Sequence, residues 1–536
     1  MPTAAPTAKA VRLAPQEWLF LCAVMLGVAL FVLWMGKDTS WDFRNYHWYI
    51  PYQFLTGRMN LDLAVAHQAS YYNPFLDIPF YLLASHTPSW FSLGVMGLVQ
   101  GANCIPLYFI ARSSLRMEEN VLASAALTLM GMTGALTLSL YGTTYYDNVM
   151  SVFVLTGLAI LVVQRDALAN GSLTRTAFLA GLAGFLVGSS VGLKLPEAPF
   201  ALGFAAALVA LRGDFKHQAV RIAAGGIAGL IGVLLFSAYW WEAMDKLTGN
   251  PLFPYFNEYF KSPLALASPY RDMRFLPHGI FNIVTFPIQF SLNWAVADDL
   301  GFQDIRVGIA YLASIAAGVE WLVRRRAPDP LFDIEAARPL FAFAAASLIS
   351  WTLFFAIYRY ILSLEMLAPI VIVAAVGFLP LARRTRFVTI GVLLFAILVT
   401  SHSTFNDRMP LGDPYVQIVT PPKIEHPKDS IILMTGLAPM GYIAPSLPHQ
   451  IPLLRIDGWM LQPQDGTRLT ARMRKQVDDF KGDLYSLSDP DEIERTHDAL
   501  LAYGFIIDWL KCQHFDTNLA GPYLFCPLTR KPPNTP

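Results

Sequence analysis

An acidic, aromatic segment follows the first long apolar run of the chain, and its residue types suit acid–base chemistry. The apolar run extends from Trp18 to Met35, and the segment from Lys37 to Tyr49 reads KDTSWDFRNYHWY. A carboxylate near a membrane is costly without a partner or a task, so an ionisable group there indicates a functional site. Asp42, which opens the motif Asp-x-x-Asn-Tyr, is therefore predicted to have a functional role.

Two further acids are predicted to lie on the same side of the membrane as Asp42. Asp38 precedes it and is interpreted as a solvated loop acid or a helix N-cap. Asp147 stands in Tyr-Tyr-Asp-Asn at the head of a later apolar run. A catalytic role and stabilisation of the helix N-terminus are both open for Asp147.

Two cations form a complementary set. Lys194 interrupts two apolar runs within Gly-Leu-Lys-Leu-Pro, where snorkelling to lipid headgroups is the alternative to a functional role. Arg359 and Tyr360 end another apolar run. An arginine at that position needs an anionic partner: a lipid phosphate, a carboxylate such as Glu365, or a substrate phosphate.

Composition places the chain among integral membrane proteins. Of its 536 residues 54% are hydrophobic and only 15% are charged, whereas soluble domains carry about 25% charged residues. The 39 basic and 39 acidic residues balance, which gives no indication of nucleic-acid binding. The sequence has no Walker loop, Gly-x-Ser-x-Gly motif or dinucleotide fingerprint, and no cluster with convincing metal-ligand spacing, so no metal or other cofactor is predicted.

The apolar runs predict an α-helical polytopic protein of about eleven spans. The predicted spans are 15–35, 89–111, 120–141, 148–164, 176–193, 197–211, 222–241, 306–323, 339–358, 361–381 and 387–402. The first span lacks a small-residue cleavage site at its end and is interpreted as retained. The segment 279–297 is apolar but interrupted by Pro287 and Asn293, which favours an interfacial or re-entrant position.

Basic residues fall in loops that share one side of the membrane if the spans alternate. They are Lys9, Arg12, Arg112, Arg116, Arg165, Arg212, Lys216, Arg221, Arg324, Arg325, Arg326, Arg383, Arg384 and Arg386. The positive-inside rule makes that side the cytoplasm. The candidate acids and cations then lie outside, and the N-terminus is predicted to be cytoplasmic. The retained first span is compatible with a bacterial inner membrane, which is the predicted location.

Two parts are predicted, a transmembrane domain over 1–402 and a periplasmic α/β domain over 403–536. The transmembrane domain has a first outer loop at 36–88, which carries the candidate acid, and a long outer loop at 242–305. Interfacial helices are predicted at Asn45–Leu55 and Asn73–Leu83. In the C-terminal part we predict strands at Ser430–Thr435, Ile451–Ile456 and Gly504–Trp509 and a helix at Pro490–Ala502. A Cys512–Cys526 disulfide is open if this part faces an oxidising compartment.

The order and common sidedness of these short motifs resemble the GT-C glycosyltransferases that use polyprenyl-phosphate sugars, including the aminoarabinose transferase and protein mannosyltransferase relatives. The matching positions are Asp42, Asn45-Tyr46 with the helix to Gly57, Tyr72-Asn73-Pro74-Phe75, Asp147, Gly192 to Pro196, Gly249 to Phe256, and Arg359 to Leu362. An outer soluble C-terminal domain also fits this class.

The resemblance implies transfer of a sugar from a polyprenyl-phosphate donor to a lipid, glycan or protein acceptor. It implies Asp42 as general base, Asp147 as the second catalytic acid, and Lys194 and Arg359 as cations at the leaving phosphate. The implied substrate-binding set is Arg44, Asn45, Tyr46, His47, Tyr72, Lys194, Arg359 and Tyr360. Membrane lipids are the other expected partners, and no nucleic acid is expected.

Two alternatives use the same charges differently. A flippase or transporter of a lipid-linked sugar would recognise its cargo with them, but transporters carry polar residues near the midplane and related halves. Here the ionisable candidates gather at one face and no halves are apparent, which favours the enzyme. A lipid-linked polysaccharide polymerase or ligase also works at the outer face and is not separated from the transferase by sequence.

Overall fold

The computed structural model describes residues 13–323, 329–405 and 408–532 and consists of a helical part and a C-terminal sheet. Lys9, Arg12 and Arg324 to Arg326 lie outside the described residues. The helices before the sheet are α1 Pro15–Met35, α2 Tyr49–Leu55, α3 Ile78–His86, α4 Ser89–Gly101, α5 Cys104–Ser114, α6 Asn120–Met132, α7 Ala135–Ser139, α8 Asp147–Val163, α9 Arg165–Asn170, α10 Leu173–Leu193, α11 Ala198–Ala210, α12 Phe215–Thr248, α13 Asn257–Phe260, α14 Ile280–Leu292, α15 Arg306–Leu322, α16 Ile334–Phe354, α17 Leu362–Gly377 and α18 Arg383–Thr400.

Each of the eleven predicted spans coincides with helix, which confirms the helical polytopic class. Within the described residues six helical segments are long and apolar enough to cross a membrane: Pro15–Met35, Ser89–Ser114, Leu173–Leu193, Phe215–Thr248, Ile334–Phe354 and Tyr358–Gly377. Four shorter apolar helices accompany them: Asn120–Met132, Asp147–Val163, Leu195–Ala210 and Ile280–Leu292. The last covers the interrupted segment, and it leaves Ile280 and Phe281 exposed.

Glycines at four-residue spacing set the crossing of α10 and α12. A side chain at Gly188 would clash with the carbonyl of Gly229, and a Cβ at Gly192 would lie 2.5 Å from the carbonyl oxygen of Val233. Small residues at such spacing let two membrane helices approach closely. This contact fixes the end of α10, where Lys194 follows.

Ion pairs join the arginine-bearing loops at one end of the helices. Arg116 and Arg165 meet Asp333 at 2.5 and 3.6 Å. Arg212 meets Glu335 at 3.1 Å, and Arg386 meets Asp329 at 2.5 Å. These four arginines, all among the charges used to predict orientation, therefore gather at one end, and the candidate site residues lie at the other ends of α8, α10 and α16.

The C-terminal part is an α/β unit. Its helices are α19 Arg468–Asp479 and α20 Ile493–Ala502. The strands of the chain are β1 Lys37–Asp38, β2 Phe302–Gln303, β3 His402–Ser403, β4 Arg408–Met409, β5 Ser430–Met434, β6 Leu453–Arg455, β7 Asp483–Ser488, β8 Phe505–Ile507, β9 Gln513–Phe515 and β10 Tyr523–Arg530. The sheet order is β6-β5-β7-β10-β8 with β9 also on β10, and β5 is parallel to both β6 and β7.

The predicted strands and helix of this part are confirmed, whereas α19, β7, β9 and β10 were not predicted. Alternation is weak in β7, which is buried along nearly its whole length, so it lacks the periodicity of a half-exposed strand. The structure joins Cys512 and Cys526 in a disulfide.

The sheet rests on the first outer loop. Leu63 forms a bridge with Leu454, and a buried Arg58–Asp62 pair at 2.7 Å extends to the strand backbone. Arg58 donates to the carbonyl of Ile451 at 2.6 Å, and Asp62 accepts from the amide of Leu453 at 3.1 Å. The predicted aromatic helix, now α2, is consequently buried over Tyr49 to Gln53.

Candidate active site

A cavity of about 170 Å³ lies where the first outer loop meets the ends of α10, α12 and α16. Seven of the residues predicted from sequence line it: Asp42, Tyr46, His47, Tyr72, Lys194, Arg359 and Tyr360. They come from four separate parts of the chain and are brought together by helix packing. With Asp77, which also lines it, the cavity carries two carboxylates, two cations and several phenols.

Asp42 is the N-cap of a π-helical turn, Phe43–His47, and Asp42, Tyr46 and His47 all line the cavity. The hydroxyl of Tyr46 donates to Asp42 Oδ2 at 3.0 Å. Burial raises the pKa of Tyr46 well above its ordinary value, and the Asp42 carboxylate adds to that rise. Tyr46 therefore stays a hydrogen-bond donor at neutral pH, and Asp42 keeps a second oxygen for another partner.

His47 is held by a buried acid that the sequence did not single out. Its Nδ1 lies 2.6 Å from Asp77 Oδ1. Burial raises the pKa of Asp77, and the adjacent His47 opposes that rise. A carboxylate on one ring nitrogen fixes the tautomer and orientation of an imidazole. The other nitrogen, Nε2, is buried and has no partner among the described residues.

Lys194 forms an ion pair with Asp147 through its Nζ and Asp147 Oδ1. The Nζ also donates to the carbonyl of Tyr145 at 2.8 Å and lies 5.2 Å from the ring centre of Tyr360. Asp147 is buried at the first position of α8 and is not among the cavity-lining residues. Its contact with Lys194 makes it a positioning residue for that cation.

Arg359 is held by Asp298 from the long outer loop. Its amide donates to Asp298 Oδ2 at 2.9 Å, and its guanidinium lies 3.7 Å from Asp298 Oδ1. The guanidinium also faces the rings of Tyr145 and Tyr360, at 5.3 and 5.1 Å from their centres. Burial raises the pKa of Asp298, and Arg359 opposes that rise.

Of the partners that the sequence left open for Arg359, the structure shows a protein carboxylate, but it is Asp298 and not Glu365. Glu365 accepts instead from the amide and hydroxyl of Thr137, at 2.9 and 2.8 Å. It lies in the first turn of α17 and contacts α7, and it is not among the cavity-lining residues. Asp298 takes its place because the long outer loop folds back onto the start of α17.

Two sequence motifs, Tyr72-Asn73-Pro74-Phe75 and the Gly249 to Phe256 loop, form another side of the cavity. Asn73 donates to the carbonyls of Gly192 and Phe236, at 3.2 and 2.7 Å, which ties the first outer loop to α10 and α12. Tyr255 donates to the hydroxyl of Tyr72 at 2.7 Å and stacks on its ring. Burial raises the pKa of Tyr255 to about 12. The Gly249 to Phe256 loop thus positions Tyr72.

Besides Asp147 and Glu365, three more residues considered from sequence lie outside the cavity lining. Arg44 lies near Tyr523 of the C-terminal part. Burial raises the pKa of Tyr523, and the positive charge of Arg44 opposes that rise. Asn45 is buried and donates to the carbonyl of Ala66 at 3.4 Å. Asp38 is fully buried, not solvated, and accepts from the amide and hydroxyl of Thr144 at 2.8 and 2.9 Å.

Sequence reasoning missed Asp77 and gave Asp298 no weight, and it also missed Glu197. Glu197 is buried in the turn after Lys194, and its Oε2 has no partner among the described residues. Both acids lie next to motifs that the sequence had already indicated. Asp77 follows Pro74-Phe75 by two residues, and Glu197 ends the turn Lys194-Leu195-Pro196-Glu197. No group of three metal-ligating side chains occurs within the described ranges.

No protein-family profile matches the sequence, and no curated protein matches it. The chain is similar to a solved structure, the crystal structure of ArnT from Cupriavidus metallidurans bound to undecaprenyl phosphate. The likeness covers 96% of this chain and 98% of that chain, with 13% sequence identity and a TM-score of 0.45.

Proposed function

We propose that this protein is a membrane glycosyltransferase of GT-C type, which moves a sugar from a polyprenyl-phosphate donor to an acceptor. The observation that carries the proposal is the shared cavity: Asp42 lies in the same lining as the two cations, Lys194 and Arg359. A base and a pair of cations in one small space suit a displacement in which a phosphate leaves.

The cations would receive the phosphate of the donor. Lys194 and Arg359 are both tied to buried carboxylates, so each is held in place before substrate binds. A preorganised cation stabilises negative charge that grows on a leaving group without a cost of reorganisation. Negative charge on the lipid phosphate increases as the bond from its oxygen to the sugar breaks.

Asp42 would act as the base. Its carboxylate takes the proton of the acceptor hydroxyl or amine while the acceptor oxygen or nitrogen bonds to the anomeric carbon. The bond from that carbon to the phosphate oxygen breaks at the same time, and the electron pair stays on the polyprenyl phosphate. Such a single displacement inverts the anomeric centre.

The rest of the lining suits a sugar and a lipid. His47 presents Nε2 in a fixed orientation, and Tyr46 and Tyr72 bring hydroxyl groups and ring faces. Leu193, Leu195 and Trp240 line the same cavity and offer apolar contacts for the first isoprene units. The acceptor class, whether lipid, glycan or protein, is left open by these residues.

The site would face the periplasm of a bacterial inner membrane, where lipid-linked sugars replace nucleotide sugars as donors. The arginine-bearing loops gather at the opposite end of the helices. The positive-inside rule assigns that opposite end to the cytoplasm.

The test is sugar transfer by purified protein in liposomes from a panel of labelled polyprenyl-phosphate sugars, with nucleotide sugars for comparison. We expect release of polyprenyl phosphate from at least one lipid donor and none from the nucleotide sugars. In the double variant Arg359→Gln, Asp298→Asn, kcat/KM for that donor should fall about a hundredfold, as for other oxyanion-stabilising groups. Arg274→Gln, an exposed cation of the same loop region, should leave it unchanged.

Labelled lipid that crosses the bilayer of the same liposomes, without release of polyprenyl phosphate from any donor, would contradict the proposal. The protein would then be a transporter of lipid-linked sugars. Release from oligosaccharide-lipid alone, with none from single-sugar donors, would identify a polymerase or ligase instead.

A further inference from the structure

A second, larger cavity lies among the helices away from the candidate active site. It is a groove of about 640 Å³ lined by α15, α16 and α17. Both α15 and α16 pack against α17, so α17 forms its floor through Leu364, Leu367 and Val371. Ile315 and Ile349 line the groove and are about half exposed, which shows that it opens sideways, toward the position of the bilayer.

Hydrocarbon is the material that fills such a groove. Its walls are almost entirely apolar, and small residues such as Ala317, Gly318 and Ala345 make room along α15 and α16. An unfilled space would leave these side chains without dispersion contacts on one side. Water offers no compensation because the walls provide few hydrogen-bonding partners.

One end of the groove carries a cation. Among the described lining residues Arg338 alone is charged. It lies near the start of α16, beside the Arg212–Glu335 pair, and its own distance to Glu335 is 3.8 Å. Arg338 is 38% exposed on its side chain, so a further anion can reach it. Arg212 and Arg338 therefore share one carboxylate, Glu335, and the more distant Arg338 is incompletely paired.

We propose that the groove binds an anionic phospholipid, with one acyl chain between α15 and α16 and the headgroup phosphate on Arg338. The donor lipid is a poorer fit because Arg338 and the pair Lys194 and Arg359 lie at opposite ends of the helices. A single phosphate cannot occupy both places. This site goes beyond the proposed function and does not depend on it.

The test is lipid binding by the full-length protein in detergent after its lipids have been removed, with no sugar donor present. Phosphatidylglycerol and phosphatidylcholine with identical chains are titrated, and bound lipid is counted by native mass spectrometry. We expect phosphatidylglycerol to bind about fivefold more tightly, since one basic residue near a membrane surface contributes about 1 kcal/mol toward an anionic lipid. Arg338→Gln should remove that preference, whereas Arg383→Gln, at the same end but outside the groove lining, should keep it.

A second pair of variants tests the position of the chain. Gly318 lines the groove and a Cβ there meets nothing within 4 Å, so Gly318→Leu fills the groove without a clash. Gly391 on α18 has the same open surroundings but lies outside the groove lining. We expect phosphatidylglycerol affinity to fall at least about fivefold in Gly318→Leu, as overpacking costs about 1 to 3 kcal/mol, and to be unchanged in Gly391→Leu.

Three results would overturn the proposal. Equal binding of the two phospholipids by the wild type would remove the headgroup contact. Wild-type affinity in Gly318→Leu would place the lipid elsewhere. If polyprenyl phosphate displaced phosphatidylglycerol from the wild type but not from Gly318→Leu, the groove would belong to the donor lipid. Sugar transfer plays no part in any of these measurements, so its failure would leave this proposal untouched.

Discussion

Lys194 and Asp147 form a buried ion pair in which one partner lines the cavity and the other does not. The two residues were predicted as a cation and a catalytic acid at the same face. In the structure Asp147 contacts Lys194, and Asp42 lies in the cavity lining. The geometry therefore separates a group that can meet substrate from one that positions another group.

We predict that replacing both members of this pair restores the stability lost in the single variant but does not restore transfer. Lys194→Gln leaves the Asp147 carboxylate buried and unpaired, so the free energy of unfolding should fall by about 3 to 5 kcal/mol. The double variant Lys194→Gln, Asp147→Asn carries no buried charge at this pair and should regain most of that stability. Its kcat/KM for sugar transfer should stay about a hundredfold below wild type, because a cation at the leaving phosphate is still missing.

Denaturant titration and transfer kinetics on the same preparations check this prediction. Near wild-type transfer by the double variant would mean that Lys194 serves only the stability of the fold.

His67 of the first outer loop connects that loop to the C-terminal part. The amide of Trp459 donates to His67 Nδ1 at 3.2 Å, and Trp41 stacks on the ring of His67. Burial holds the pKa of His67 well below its ordinary value, and Arg455 lowers it further. His67 must stay neutral to accept this bond, so the contact between the two parts requires an unprotonated imidazole.

This contact predicts a loss of stability in mild acid. The unfolded chain binds a proton at His67 below pH about 6.5, whereas the folded chain does not, so stability is present above that pH and is lost as pH falls. The free energy of unfolding should drop by up to about 1.4 kcal/mol for each pH unit below about 6.5. In His67→Asn, whose Oδ1 also accepts from the Trp459 amide, this part of the pH dependence should be absent.

The comparison is made by denaturant titration at pH 7.5 and 5.5. His497→Asn, which changes an exposed histidine on α20, should keep the wild-type dependence. An equal pH dependence in wild type and His67→Asn would contradict this role of His67.

The sequence predicted elements better than it predicted partners. Apolar runs locate helices because a membrane helix is apolar over its own length. Charged residues at the ends of those runs, such as Asp42, Lys194 and Arg359, line the cavity as predicted candidates. The partners of His47 and Arg359 are 30 and 61 residues away. They depend on which loops meet, a property of the packed molecule. For α2 the sequence predicted an interfacial helix at the membrane, but not the C-terminal part that buries it.

At the scale of the whole molecule, the orientation proposed from loop charges is directly measurable. We expect Asp498→Cys, on exposed α20, to react with a membrane-impermeant maleimide in intact spheroplasts. Lys216→Cys, at the exposed start of α12, should react only after the membrane is opened. Both variants are made with Cys22→Ser, because Cys22 is exposed and Cys104 is buried.

The opposite labelling pattern would place the cavity at the cytoplasmic face. Nucleotide sugars are present there, so the reason for proposing a lipid-linked donor would be lost.

The proposed transfer requires Asp42 as the base in a cavity whose cations hold the donor. The most direct measurement is the rate at which wild type and Asp42→Asn release polyprenyl phosphate at saturating donor, together with the affinity of both for polyprenyl phosphate. We predict that kcat falls by about 10² to 10⁴ while that affinity stays within about twofold, and that Asp498→Asn behaves as wild type. Wild-type kcat in Asp42→Asn would contradict the proposed mechanism and exclude Asp42 as the base.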